Sequence, residues 1–172
     1  MVSYFNWRKL LIYPFIFWGI IFFVFGCAKN PQKQEQPSSA IVFFSINEFK
    51  FNDIGIVRKA PTKTTLEIFN MGQVLLSFSA SNTGVCINKE CYSKEVFIRR
   101  FFKNEALSEL NFKDILEGKE ILKGEGRKNL EQGFYQSIQK GKNTIFYEVS
   151  KKRIYFKELQ SNFILEIEHK QL

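Results

Sequence analysis

The sequence predicts an α+β protein built mainly from antiparallel β-strands, a curved sheet with helices covering its concave face. Three observations predict it. Apolar and polar residues alternate through most of the stretch from Ile41 to Cys91, the period-two signature of half-buried strands. The period lengthens to a helical one between Lys94 and Gly118. Alternation then returns from Thr144 to His169, and strands, then short helices, then strands again suit helices packed on one face of an antiparallel sheet.

The elements follow in chain order. Val42 to Ile46 opens the first strand, and Phe49 and Phe51 alternate with Lys50 and Asn52. Leu66 to Phe69 and Val74 to Phe78 are two strands joined at Asn70-Met71-Gly72-Gln73, a hairpin signal. Gly84 to Ile87 is a third short strand, turning at Asn88-Lys89-Glu90 to reach Cys91 and Tyr92. From Lys94 to Lys103, Phe97 and Phe101 fall four apart, as do Ile98 and Phe102, with Arg99, Arg100 and Lys103 opposite: an amphipathic basic helix. Asn111 is a fair N-cap and Gly118 a C-terminal stop for a second short helix carrying Asp114, Ile115 and Leu116. Residues 119–128 are Gly-rich and charged, a loop. Leu130, Phe134 and Ile138 fit a helical stripe, although Gly133 and polar neighbours leave the stretch open between helix and strand. Three strands close the chain, Thr144 to Val149, Arg153 to Leu159 and Phe163 to His169.

Ahead of this domain stand a leader and a tether. Arg8 and Lys9 precede an uncharged run from Leu10 to Phe25, about 16 residues, long for a signal h-region and short for a spanning helix. Pro14 interrupts it. The run ends on Val24-Phe25-Gly26-Cys27, which resembles the lipobox of bacterial lipoproteins. That resemblance implies a signal peptide over residues 1–26, acylation of Cys27, and residence on the periplasmic face of a membrane. Ala28 after the Cys favours the outer membrane; anchoring in the inner membrane, by lipid or by an uncleaved leader, is the alternative. Residues 27–40, including two Pro, three Gln and two Ser after Lys29, form a disordered tether, leaving residues 41–172 as the folded domain.

Composition narrows the function. With 45% hydrophobic and 24% charged residues the chain is globular. One His, His169, argues against a His-based zinc set and against a Ser-His-Asp or Cys-His triad. No G-x-S-x-G, H-E-x-x-H or phosphate-loop pattern occurs, and carboxylates such as Glu117, Glu120 and Glu125 lack a catalytic context. No enzymatic reading, metal site or cofactor follows, beyond the covalent lipid on Cys27. With Cys27 acylated, Cys86 and Cys91 remain as an even pair at cross-strand spacing, a structural disulfide in an oxidising compartment. Without Arg8 and Lys9 the chain keeps 23 basic against 17 acidic residues. Such a balance suits anionic lipid head groups rather than nucleic acid. The chain holds 20 Phe. These side chains make either a filled core or the wall of an apolar cavity, with Phe44, Phe69, Leu76, Phe78, Phe97, Phe101, Phe102 and Phe156 as the cavity candidates.

The stretch from Thr65 to Gly118 resembles the LolB family, outer-membrane receptors for lipoproteins. The likeness lies in Leu66-Glu67-Ile68-Phe69, the Asn70-Met71-Gly72-Gln73 loop and Val74-Leu75-Leu76-Ser77-Phe78. It continues through the short Val85-Cys86-Ile87 strand, the helix from Lys94, the Asn111 to Gly118 helix and the closing strands from Tyr147 to His169. The resemblance implies an unclosed β-barrel capped by helices, with an apolar cavity for lipoprotein acyl chains. It also implies a protruding hydrophobic loop for membrane insertion, at Met71 and Gly72 here. The loop is short and the Cys86–Cys91 pair is not expected of the family. The function so implied is acyl-chain binding and lipoprotein delivery to the outer membrane, with membrane lipid, lipoprotein acyl chains and a periplasmic carrier protein as partners. A non-enzymatic accessory lipoprotein of the same fold with a packed core is the alternative; an inhibitor that occludes an enzyme lacks an evident inhibitory loop.

Overall fold

The structure, a computed structural model, describes residues 37–169. The leader, Cys27 and the tether as far as residue 36 lie outside the described residues. The described residues belong to one compact unit, and among them the buried hydrophobic core runs from Ala40 to Ile167, so this segment carries a core of its own.

Six strands come first: β1 (Ser38–Ile46), β2 (Phe49–Lys59), β3 (Lys63–Asn70), β4 (Gln73–Ser81), β5 (Gly84–Ile87) and β6 (Glu90–Ser93). Two short helices follow, α1 (Lys94–Phe101) and α2 (Phe112–Glu117). Five strands close the chain: β7 (Arg127–Leu130), β8 (Gly133–Lys140), β9 (Asn143–Ser150), β10 (Arg153–Glu158) and β11 (Phe163–His169). All eleven form a single sheet in the order β6-β5-β4-β3-β2-β1-β11-β10-β9-β8-β7, antiparallel throughout. The chain therefore lays down one meander outward from β1 to β6 and a second inward from β7 to β11. The β1–β11 pair joins them at the centre, with Val42 opposite Ile167 and Phe44 opposite Leu165. The sheet is not closed: β6 and β7 are its two edges, and the helical segment is the connection between them.

Alternation decides what is buried. Val42, Phe44, Leu66, Ile68, Phe78, Ile145, Tyr147, Phe156, Leu165 and Ile167 turn to one face and are sealed from solvent. The helices bring Phe97, Ile98, Phe112, Ile115 and Leu116 to the same core. Their ends follow local chemistry. The Ser93 hydroxyl accepts the Val96 N–H, and the Asn111 side chain accepts the Lys113 N–H at 3.1 Å. Gly118 ends α2 in the left-handed region at φ 71°, donating its N–H back into the last turn, the conformation that glycine adopts without a Cβ penalty.

Two sequence expectations need correction. The first strand begins at Ser38, not beyond Ala40. Ala40 pairs with Gly55 on one side and His169 on the other and is 1% exposed, so small polar residues that resemble a tether already belong to the sheet. Leu130, Phe134 and Ile138 are not a helical stripe but lie on strands β7 and β8. Phe134, Gln136 and Ile138 are all buried at period two. Gln136 disguises the alternation, because a polar side chain holds a core position. Its amide is fully partnered there, accepting the Ile121 N–H at 2.9 Å and donating to the carbonyls of Ile121 (3.0 Å) and Glu125 (2.8 Å), which removes the penalty of burying it.

Candidate functional site

The candidate cavity wall is an aromatic cluster. Phe44 lies 5.3 Å from Phe78, Phe78 6.3 Å from Phe97, and Phe97 4.6 Å from Phe101 and 6.2 Å from Phe102, between ring centroids. At the centre stands a ring absent from the candidate set, Phe112 of α2. It meets Phe97 at 4.9 Å, Phe102 at 5.7 Å, Phe163 at 5.8 Å, Phe78 at 6.1 Å and Phe156 at 6.3 Å. Phe163 in turn touches Phe44, Phe102 and Phe156. These separations and their tilted or edge-on angles are those of rings in direct contact. Six of the eight candidates join this cluster as rings, and Leu76, 2% exposed, lies in the same core, opposite Ile68. Phe69 does not join it. Ile68 beside it points inward and is fully buried, so alternation turns Phe69 to the outer face, where it pairs with Val74. Phe112 and Phe163 carried a signal: the first stands three and four residues before Ile115 and Leu116, and the second heads the Phe163-Leu165-Ile167 row.

The second candidate element is the β3–β4 hairpin. Met71 (φ 48°) and Gly72 (φ 79°) form a two-residue turn between the last pair, Asn70 and Gln73, both in the left-handed conformation that tight hairpins use. Met71 is 99% exposed. Behind it Val74 and Leu75 are exposed as well, where a bulge at Ile68 and Phe69 sets two residues against one. The apolar surface continues across the sheet. Ile41 pairs with Ile54, and Gly55 opposite Ile68 brings Ile54 alongside Phe69. The base of the hairpin is braced by the Asn70 amide, which donates to Asp53 at 2.8 Å. The Ile54 N–H and that amide hold the Asp53 carboxyl below its usual range.

Buried polar groups are structural in geometry. The Glu158 carboxylate, fully buried, accepts from the Asn143 amide, from the N–H groups of Gln160 and Ser161, and from the Ser161 hydroxyl. Burial pushes the Tyr147 phenol far above its ordinary range, so it stays protonated and donates to the Lys119 carbonyl at 2.8 Å. Cys86 and Cys91 face each other across β5 and β6, Cα atoms 4.0 Å apart, and are disulfide-bonded. Among the described residues no three His, Cys, Asp or Glu side chains gather as a metal set, and no helix is long and apolar enough to cross a membrane. In comparisons with known proteins the chain matches no family model and no curated protein.

Proposed function

We propose that the chain is a lipid-anchored, non-enzymatic protein of the bacterial envelope, LolB-like in plan, that takes up lipoprotein acyl chains and delivers them to the outer membrane through its Met71 hairpin. The observation that carries this reading is Met71. A side chain 99% exposed at the end of a two-residue turn packs against nothing, and moving it from water into hydrocarbon is worth roughly 1.5–3 kcal/mol. Val74, Leu75 and the outer row through Ile54 to Ile41 widen the apolar contact.

The remaining geometry is compatible with delivery. Ser38 pairs with Val57 and Val57 with Leu66, so the start of β1 is level with a point five residues from Met71, about 17 Å of strand. The eleven residue-to-residue steps from Cys27 to Ser38 can span up to about 36–40 Å when extended. An acyl anchor on Cys27 therefore leaves the hairpin free to reach the same bilayer. In this reading α1 and α2 are a lid over the concave face. Acyl chains enter by parting Phe97, Phe102 and Phe112 from Phe44, Phe78, Phe156 and Phe163, each buried CH₂ returning about 0.8 kcal/mol. A periplasmic carrier would hand the cargo over.

One observation favours a second reading. The ring-to-ring contacts of 4.9 to 6.3 Å through Phe112 suit a packed core, and with it an accessory lipoprotein of an envelope complex. Native mass spectrometry of residues 36–172, purified without detergent, separates the two. Co-purifying acyl species, or uptake of an added diacylated lipopeptide, is the result expected of a lipid-handling protein. An apo mass that ignores the lipopeptide puts the accessory reading first. Replacing Cys27 with Ser should release the full chain from the membrane fraction; unchanged fractionation removes the acyl anchor from the account.

A further inference from the structure

The aromatic cluster reaches the surface beside the end of α1. A pocket of about 300 Å³ opens there, lined by Phe101, Phe102, Lys103, Lys142, Asn143 and Ser161, with Asn47 and Gln160 completing it. Its inner wall backs onto the core: Phe102 is 2% exposed and its ring lies 5.7 Å from Phe112 and 5.5 Å from Phe163. Its rim is cationic. Lys103 and Lys142 are exposed, and neither has a carboxylate within ion-pair distance among the described residues. The wall between them is built. The Asn104 amide donates to the Lys140 carbonyl at 2.9 Å and to the Asn143 side chain at 2.6 Å, and the Asn143 amide donates to Glu158 at 2.8 Å. Glu158 is the acidic group behind this wall. Its oxygens already accept from Asn143, Gln160 and Ser161, and it is sealed from the pocket's solvent side.

A mostly polar pocket that backs onto a ring cluster through Phe101 and Phe102, under a rim of two unpaired ammonium groups, suits a chain with an anionic head, the head in the pocket and the chain between the rings behind it. Lysines act on such a head as flexible point charges, and charge-assisted contacts to phosphate are the strong ones. We infer that this pocket holds the anionic, phosphate-type head of an acyl amphiphile while its chain passes beneath α1 into the Phe102–Phe112–Phe163 cluster. The inference rests on the acyl-chain reading above and narrows its substrate class to anionic acyl lipids.

The test titrates residues 36–172 with dodecyl phosphate and dodecyl maltoside, both below their micellar concentrations, and with inorganic phosphate, by calorimetry. Dodecyl phosphate should bind at least tenfold more tightly than dodecyl maltoside, and inorganic phosphate alone should bind far more weakly. The double variant Lys103→Gln, Lys142→Gln should abolish the tenfold preference while leaving maltoside binding and thermal unfolding unchanged. Lys103→Arg with Lys142→Arg should restore the preference, which guards against a glutamine variant that folds poorly. Equal affinity for the two detergents, or a preference that survives the glutamine variant, overturns the head-group site and leaves acyl binding standing. Inorganic phosphate binding as tightly as dodecyl phosphate makes this a free-phosphate site and overturns the amphiphile. Binding of neither detergent brings down the acyl-chain reading and this inference together.

Discussion

The Thr64 hydroxyl on β3 donates a 2.7 Å hydrogen bond to the Glu117 carboxylate at the end of α2, so the helical segment is fastened to the sheet by a nearly buried charge as well as by rings. Lys113 and Lys119 complete the contact at 2.7 and 2.6 Å, with the Lys113 and Glu117 side chains each 9% exposed. Burial alone would raise the Glu117 pKa. Hydrogen bonds from Lys113, Lys119 and Thr64 outweigh it and lower the carboxyl from 4.5 to about 2. A folded-state pKa below the unfolded one stabilises the fold above the unfolded value, and the contribution fades as pH falls from about 4.5 towards 2. At 1.36 kcal/mol per unit the ceiling is about 3 kcal/mol, and the exposed Lys119 brings the expected figure nearer 2 kcal/mol. Urea unfolding of residues 36–172 at pH 7, 4 and 2.5 should show the loss. Glu117→Gln should lower stability at pH 7 and flatten the acid slope; an acid slope identical to that of the unchanged protein would remove Glu117 from the clamp.

Phe112 supports the cluster from its centre. Truncating a buried Phe to Ala costs about 3–5 kcal/mol through lost transfer energy and the cavity left behind. Phe112→Ala should therefore lower the urea midpoint strongly. Phe69→Ala is the control. Its ring faces outward, so its cost should stay below about 1.5 kcal/mol. Equal losses at the two sites would mean that the rings do not divide between the two faces as described.

The Cys86–Cys91 bond closes a short loop, sequence separation five. By chain entropy such a loop contributes about 2 kcal/mol. It holds β5 to the edge strand β6, whose Tyr92 ring packs on Phe97 and Phe101, so the bond also sets the surface on which α1 rests. Reducing agent should lower the thermal midpoint by several degrees without unfolding the domain. Alkylation of both thiols in non-reduced protein would refute the bond outright.

Most of the strand pattern was legible because sheet alternation is local: a residue's face follows from its neighbours' polarity. The cap at Asn111 and the stop at Gly118 were legible for the same reason. What failed were positions at which tertiary contacts overrule local signals. Gln136 holds a core position only because Ile121 and Glu125, 15 and 11 residues upstream, satisfy its amide. Ser38 and Ser39 are strand only because β2 offers Val57 and Ile56 as partners. The site divides likewise. Met71 could be picked out from its turn, and the Cys pair from its spacing. Phe69 was misplaced by being grouped with aromatics of the opposite face, and Phe112 became central through distant partners on β4, β10 and β11.

The Met71 hairpin separates a functional role from a structural one most cleanly. A Cβ built on Gly72 would meet nothing within 4 Å, and the Met71 side chain is almost wholly exposed, so the turn contributes no side-chain packing. Met71→Glu keeps the chain length of the turn residue and puts a charge where an apolar tip stands. Thermal unfolding should change by less than about 0.5 kcal/mol, the ordinary range for surface substitutions. Association with vesicles and release of lipoprotein from a loaded carrier should fall by tenfold or more, because a carboxylate resists transfer into an apolar medium. Met71→Leu should retain both. If Met71→Glu binds vesicles and accepts lipoprotein as the unchanged protein does, the hairpin is not the membrane contact, and the exposed methionine has no part in delivery.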